Sequence, residues 1–228
     1  MIAIIDYDAG NLKNVANAFK MLGADPLITS DEATILKSEA VVLPGVGAFD
    51  SCMNSLVEKG MDRVVKTCIN MGKPFLGICL GFQLLFEYSE EHPAGLLDTK
   101  GLGILKGRVK KFPADIGIKI PHMGWNNLSF PKPCPLFENL PARLFTDSQD
   151  NSASTNCKQN EEAYLYFVHS YYVEASNRSI VSATSRYGIS FDAAISSDNV
   201  YATQFHPEKS GKVGLAIINN FLKVVRKA

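Results

Sequence analysis

The chain is poor in the features that mark most specialised protein classes. It has no excess of charge of either sign, with 23 basic and 23 acidic residues among 228. No Lys/Arg cluster stands out, which argues against nucleic acid or an anionic membrane surface as a partner. No apolar run approaches the roughly 18 residues that a membrane span requires. Met1-Ile2-Ala3-Ile4-Ile5-Asp6 lacks the basic start and long apolar stretch of a signal peptide and reads instead as a first strand. Its five cysteines are scattered, odd in number and free of CxxC pairs. That pattern suits a reducing cytoplasm better than a disulfide framework or a zinc site. Hydrophobic residues make up 46% and charged residues 20%, the balance of a soluble globular chain long enough for one well-packed domain.

What is present is a strand and helix alternation over the first ninety residues. Residues 1–6 form an apolar run. Leu12, Val15, Ala16, Phe19 and Leu22 then recur at helical spacing, with a stop at Gly23. Ala40 to Leu43 is a second buried strand, ending in Pro44-Gly45-Val46-Gly47, and a helix is expected to open with Asp50 as its N-cap. Another helix ends near Gly72, and Phe75 to Ile78 gives a third strand. Continuous apolar strands separated by helices imply a mostly parallel sheet covered on both faces. Residues 101–130 and 163–206 instead carry short β-type segments between turns, an added antiparallel part. A final helix presents Leu215, Ile218, Leu222 and Val225 on one face. Residues 141–162 are polar and read as a surface insertion. With no repeat and no linker, the expectation is one domain over 1–228.

The chemistry gathers around one thiol. Gly77-Ile78-Cys79-Leu80-Gly81 follows a strand and opens a helix, the strand–turn–helix setting of a nucleophile elbow. The unpaired N–H groups at the start of a helix favour a thiolate. Taken alone, the pentapeptide fits a buried cysteine on a tight turn equally well. A nucleophile needs a base, and the base an orienting acceptor. Of the four histidines, His92 lies with Glu90 and Glu91 in a polar stretch expected at the surface. His122 and His169 sit in strand-like segments where a structural role is as natural. His206 ends the run Val200 to Phe205, and Pro207 forces a turn that would expose it. Glu208, two residues on, can fix its tautomer. A His-x-Glu deaminase site is excluded, because no Pro-Cys-x-x-Cys follows; Pro133-Cys134-Pro135 has no second cysteine. Gly45 and Gly47 can aim backbone N–H groups at a developing oxyanion, although glycines are common in strand-to-helix loops.

PGVG, GICLGFQLLFE and QFHPEKS, in that order, resemble the class I (triad-type) glutamine amidotransferases. IIDYDAGN, PHMGWN and YFVHSYY narrow the resemblance to the glutaminase subunits of imidazole glycerol phosphate synthases. It runs from about residue 1 to the last helix, with 141–162 as an insertion and no departure at a triad position. The resemblance implies a flavodoxin-like α/β fold, no cofactor and no metal, with L-glutamine as substrate. It implies Cys79 as nucleophile, His206 as base and Glu208 as the group that holds His206. Gly45, Gly47 and Leu80 would serve the oxyanion. Gln83 would contact the substrate, and the backbone of His169, Ser170 and Tyr171 would hold its α-amino and carboxylate ends. Ammonia would pass to a (β/α)8-barrel synthase subunit in a heterodimer, docked near Asn11, Trp125, Tyr166 and Lys209. The alternatives are a paralogous subunit serving another synthase, a thiol hydrolase or peptidase on a related fold, and a non-catalytic subunit with a relic site.

Overall fold

A computed structural model describes residues 1–92, 98–115, 117–140 and 164–228. The expected insertion at 141–162 lies outside the described residues.

Four short strands form the parallel half of the sheet's core: β1 (Ile2–Ile5), β2 (Pro26–Thr29), β3 (Ala40–Gly45) and β4 (Phe75–Cys79). Every residue of β1, β3 and β4 is buried, which is why these segments read as unbroken apolar runs rather than alternating ones. Between them lie α1 (Leu12–Met21), α2 (Glu32–Lys37), α3 (Phe49–Glu58) and α4 (Met61–Asn70). Helix α1 ends as its spacing predicts, with Gly23 at φ +75°. After β4 come α5 (Leu80–Gln83), β5 (Tyr88–Ser89), β6 (Thr99–Lys100), β7 (Gly107–Lys111) and β8 (His122–Asn126). The chain continues through β9 (Leu165–His169), β10 (Tyr171–Ala175), β11 (Val181–Tyr187), β12 (Ile189–Ser197) and β13 (Val200–Thr203) to α6 (Gly211–Val225).

In space the main sheet runs β2-β1-β3-β4-β13-β12-β10-β7-β5-β6, with β11 beside β12. The first five of these strands are mutually parallel, in the flavodoxin-like order. From β13 to β7 the pairing is antiparallel. Strands β8 and β9 form a separate antiparallel ribbon in which His122 lies opposite His169. Two apolar cores fill the two faces. One packs Val15 and Phe19 of α1 with Ile217 and Phe221 of α6. The other gathers Phe49 and Leu56 of α3 with Val64 and Val65 of α4. The expected parallel sheet with helices on both faces and an antiparallel addition is therefore present. No helix among the described residues is long and apolar enough to cross a membrane.

Asp50 is not the N-cap of α3. The cap position is Ala48, which has no side-chain hydrogen bond to offer. The orphan N–H of Phe49 is instead taken by the Glu91 carboxylate at 3.0 Å, from 42 residues further along the chain.

Candidate active site

The C-terminal ends of β3, β4 and β13 open onto one cavity of about 310 Å³, lined among others by Gly47, Cys79, Gln83, Glu91, Ser170 and His206. This is the edge of an open α/β sheet where ligands bind. A larger, open cleft of about 670 Å³ lies elsewhere, lined by residues that include Glu87, Arg108, Glu174 and Arg178, with no cysteine or histidine among its lining residues.

Cys79 stands at the elbow that the glycines allow. Its φ is +55°, a left-handed value that costs a non-glycine residue about 1–3 kcal/mol. The turn is pressed against β3 so closely that a Cβ on Gly81 would fall 1.8 Å from the Leu43 carbonyl oxygen. The helix that follows is a single turn, Leu80–Gln83. A buried cation stands beside the sulfur.

The cation is His206. Its side chain is 2% exposed, as is that of Glu208, whose Oε1 lies 2.8 Å from Nδ1 of the ring. The proline turn therefore does not expose His206, as the sequence suggested. Pro207–Lys209 winds a 3-10 turn that tucks the imidazole under the loop and leaves Nε2 facing the Cys79 sulfur. Burial alone would pull the ring's pKa down. The charges of the Cys79 sulfur and the Glu208 carboxylate outweigh that effect and push it up to about 10. His206 is thus held as an imidazolium through neutrality.

The remaining candidates divide. Gly47 and Leu80 line the cavity, with Gly47 at φ +106°. Gly45 lies beneath it, paired with Cys79 across the sheet, and a Cβ there would meet the Tyr7 hydroxyl at 2.7 Å. Gln83 is 3% exposed, so it is no surface residue, and it reaches the cavity wall. His169 ends β9, Ser170 is the crossing residue and Tyr171 begins β10. All three line the cavity. Trp125, Tyr166 and Lys209 form one cluster, with the Tyr166 ring 6.5 Å from that of His206. The indole of Trp125, 56% exposed, meets the Tyr166 ring edge-on at 5.8 Å, and the Lys209 ammonium sits 5.7 Å above that ring. Asn11 is exposed and caps α1 by accepting from Asn14 N. His92 is exposed, as expected.

Three residues at the site were not assigned roles from the sequence. Glu91 is half-buried in the cavity wall. Burial raises its carboxyl pKa, against the opposing hydrogen bond from Phe49 N. Gln204 is fully buried and places Nε2 3.8 Å from the Cys79 sulfur. His122 joins His169 through a 2.9 Å hydrogen bond between Nδ1 and Nε2. His169 Nδ1 lies 2.8 Å from the Tyr171 carbonyl oxygen, which can only accept, so that nitrogen carries the hydrogen. Nε2 of His169 then accepts from His122, and both rings are neutral. Burial agrees, holding His122 at about 4 and His169 at about 3. One signal was available for Gln204, namely a polar residue inside an otherwise apolar strand end.

A strand-elbow cysteine paired with a buried histidine–carboxylate couple, on a parallel sheet in 2-1-3-4 order, defines a thiol-dependent acyl-transfer class. The family model "Glutamine amidotransferase class-I" matches residues 3–225. The chain belongs to that family. It is 46% identical over 226 residues to "Imidazole glycerol phosphate synthase subunit HisH" of Methanothermobacter thermautotrophicus, covering 99% of this chain and 100% of that protein. It is 45% identical over 227 residues to the protein of the same name from Desulfitobacterium hafniense, covering 100% and 96%. Among solved structures, "Crystal structure of glutamine amidotransferase" aligns with a TM-score of 0.69 over 99% of this chain and all of that one, at 17% identity. That last likeness concerns the fold alone.

Proposed function

We propose that the chain hydrolyses L-glutamine to glutamate and ammonia and delivers the ammonia to a separate synthase subunit that makes imidazole glycerol phosphate in histidine biosynthesis. The observation that carries this reading is the buried Cys79–His206–Glu208 line opening onto a cavity of amino-acid size. The names of the relatives that share 42–46% of the sequence over its full length support the assignment to that synthase.

The Cys79 sulfur attacks the side-chain carboxamide carbon, and the carbonyl oxygen takes the negative charge. Gly47 and Leu80 line the cavity, and their backbone N–H groups would meet that oxygen. His206 gives its proton to the departing nitrogen, ammonia leaves, and a thioester remains. The now neutral ring accepts a proton from water as the water attacks the thioester, so glutamate departs and the thiolate–imidazolium pair is restored. Glu208 keeps the ring oriented and balances its charge throughout. At the other end of the substrate, the half-buried Glu91 carboxylate offers charge compensation to the α-ammonium group, and the backbone at 169–171 borders the α-carboxylate.

The cluster of Trp125, Tyr166 and Lys209 beside His206 forms the docking face for a barrel-shaped synthase partner in the cytoplasm, with Asn11 at its margin. Tyr and Trp are enriched at interface centres, and Trp125 is 56% exposed. The test is glutamate release from glutamine by the purified chain, with and without that partner, against peptide and ester hydrolysis. Turnover of peptides or simple esters in preference to glutamine would refute the reading.

A further inference from the structure

The amide orientations around the thiol are determined by the network itself. The Tyr171 carbonyl oxygen accepts from His169 Nδ1 at 2.8 Å and from Gln83 Nε2 at 3.0 Å. Because a carbonyl only accepts, the atom of Gln83 that faces it must be the amide nitrogen. The same nitrogen donates its second hydrogen to Gln204 Oε1 at 2.9 Å. Gln204 is thereby fixed in turn: its oxygen faces Gln83, so its nitrogen faces the Cys79 sulfur at 3.8 Å. Flipping Gln204 would set two donors against each other at Gln83 and a carbonyl oxygen against a negatively charged sulfur.

The anchor of this chain is rigid. The His122 ring stacks on Tyr187 at 4.0 Å and on Phe167 at 4.9 Å, and it holds His169 through the 2.9 Å bond. Gln83 and Gln204 are 3% and 0% exposed, so water does not compete for their hydrogens. Both hydrogens of the Gln83 amide are consumed by protein acceptors. Its oxygen is the atom left for any substrate contact.

From this geometry we infer that Gln204 is a further catalytic residue, an N–H donor held against the Cys79 sulfur to stabilise its negative charge, with Gln83 as the positioning residue that sets its amide. The inference deepens the proposed thiol chemistry and rests on it for its functional consequence. Hydrogen bonds to charged groups contribute more than neutral ones, and a buried one is not diluted by solvent. The donor complements His206: the imidazolium surrenders its proton as ammonia leaves, whereas the Gln204 amide never ionises and remains a donor through every step.

Other groups face the sulfur and bear on any pH profile. These are His206, backed by Glu208, on the turn after β13, the Tyr7 hydroxyl after β1 and Cys52 on α3. Glu91 and His169 line the same cavity. None of them is altered by the substitutions below.

The test uses the full chain and iodoacetamide, with alkylation of the Cys79 peptide followed by mass spectrometry across pH. This readout needs neither glutamine nor a synthase partner, so the failure of the glutaminase reading and the failure of this inference are separable. Gln204→Met keeps the bulk and loses the donor. The alkylation midpoint should move up by about one pH unit, the size expected for losing a hydrogen bond to a charge. Gln204→Glu should move it further, because a carboxylate replaces the donor. A folded Gln204→Met chain whose profile superimposes on the parent overturns the inference. Should that variant fail to fold, Gln83→Met leaves Gln204 in place but releases its amide. A smaller upward shift then supports the inference, and an unchanged profile overturns it.

Discussion

Replacing Glu208 by Gln isolates a single charge at constant shape. The carboxylate Oε1 lies 2.8 Å from His206 Nδ1, and both side chains are 2% exposed. At an effective dielectric near 20, opposite unit charges roughly 4 Å apart attract by about 4 kcal/mol. The amide oxygen of Gln still accepts from Nδ1 and returns about 1 kcal/mol of that. A net loss of about 3 kcal/mol disfavours the thiolate–imidazolium pair from which the sulfur attacks and weakens the neutral ring as a base toward water, which predicts a drop in kcat of about 10². The pH profile should change as well. His206 is raised to about 10, so it stays protonated through neutrality, and the parent should lose glutaminase activity only as pH rises toward that value. Without the carboxylate, the ring moves back toward its ordinary range, and the alkaline limb of kcat should move down by about two pH units. The assay is steady-state glutamate release across pH in the presence of the synthase partner. A variant with kcat within threefold of the parent and an unmoved alkaline limb would refute the assignment of Glu208 as the charge behind the base.

The other expectations are independent of that pair. A diazo-ketone analogue of glutamine should label Cys79 in preference to Cys52, Cys68 and Cys134, which are buried and do not line the cavity; peptide mapping that places the label on one of those would count against the elbow. Gly81→Ala should destabilise the fold by about 3 kcal/mol or prevent folding, since its Cβ would overlap the Leu43 carbonyl at 1.8 Å; an unchanged urea midpoint would show that the elbow can back away from β3. His122 and His169 are held at about 4 and about 3, below the ordinary 6.5, so between those limits the unfolded chain binds more protons than the folded one. The pair's contribution to stability should therefore be full above pH 6.5 and be lost as pH drops toward 4, by an amount on the order of a few kcal/mol; a urea midpoint flat across that window would contradict the neutral pair. Glu91→Gln should raise KM for glutamine more than it lowers kcat, because it faces the substrate's far end; the reverse pattern would place it at the reacting centre.

How much of this was legible in the sequence depended on range. The parallel core was readable because β1, β3 and β4 are buried on both faces and so are continuously apolar. Strand β2 and helix α2 were not picked out. Pro26 opens the strand, Leu27 is 42% exposed, and the six-residue helix buries only Ile35, so neither carries a strong period. The nucleophile elbow was legible because its glycines are local necessities, and His206 and Glu208 because they are two residues apart. The place of Glu91 was not legible because its surroundings come from Phe49, 42 residues earlier. Gln83 and Gln204 are 121 residues apart, and only the pairing of β4 with β13 brings them together. Asp50 failed as a cap for the same reason: a distant carboxylate already satisfied the helix start. Local chemistry was readable; groups whose role is set by a partner across the sheet were not.

The central claim is that Cys79 generates ammonia which a second subunit consumes. Its most direct test is synthesis of imidazole glycerol phosphate by the assembled pair, measured in parallel with glutamine and with an ammonium salt as nitrogen donor. With Cys79→Ala in place of the parent chain, the account predicts that glutamine-supported synthesis is abolished while ammonium-supported synthesis persists at the parental rate. Glutamine-supported turnover surviving in that variant would contradict the account.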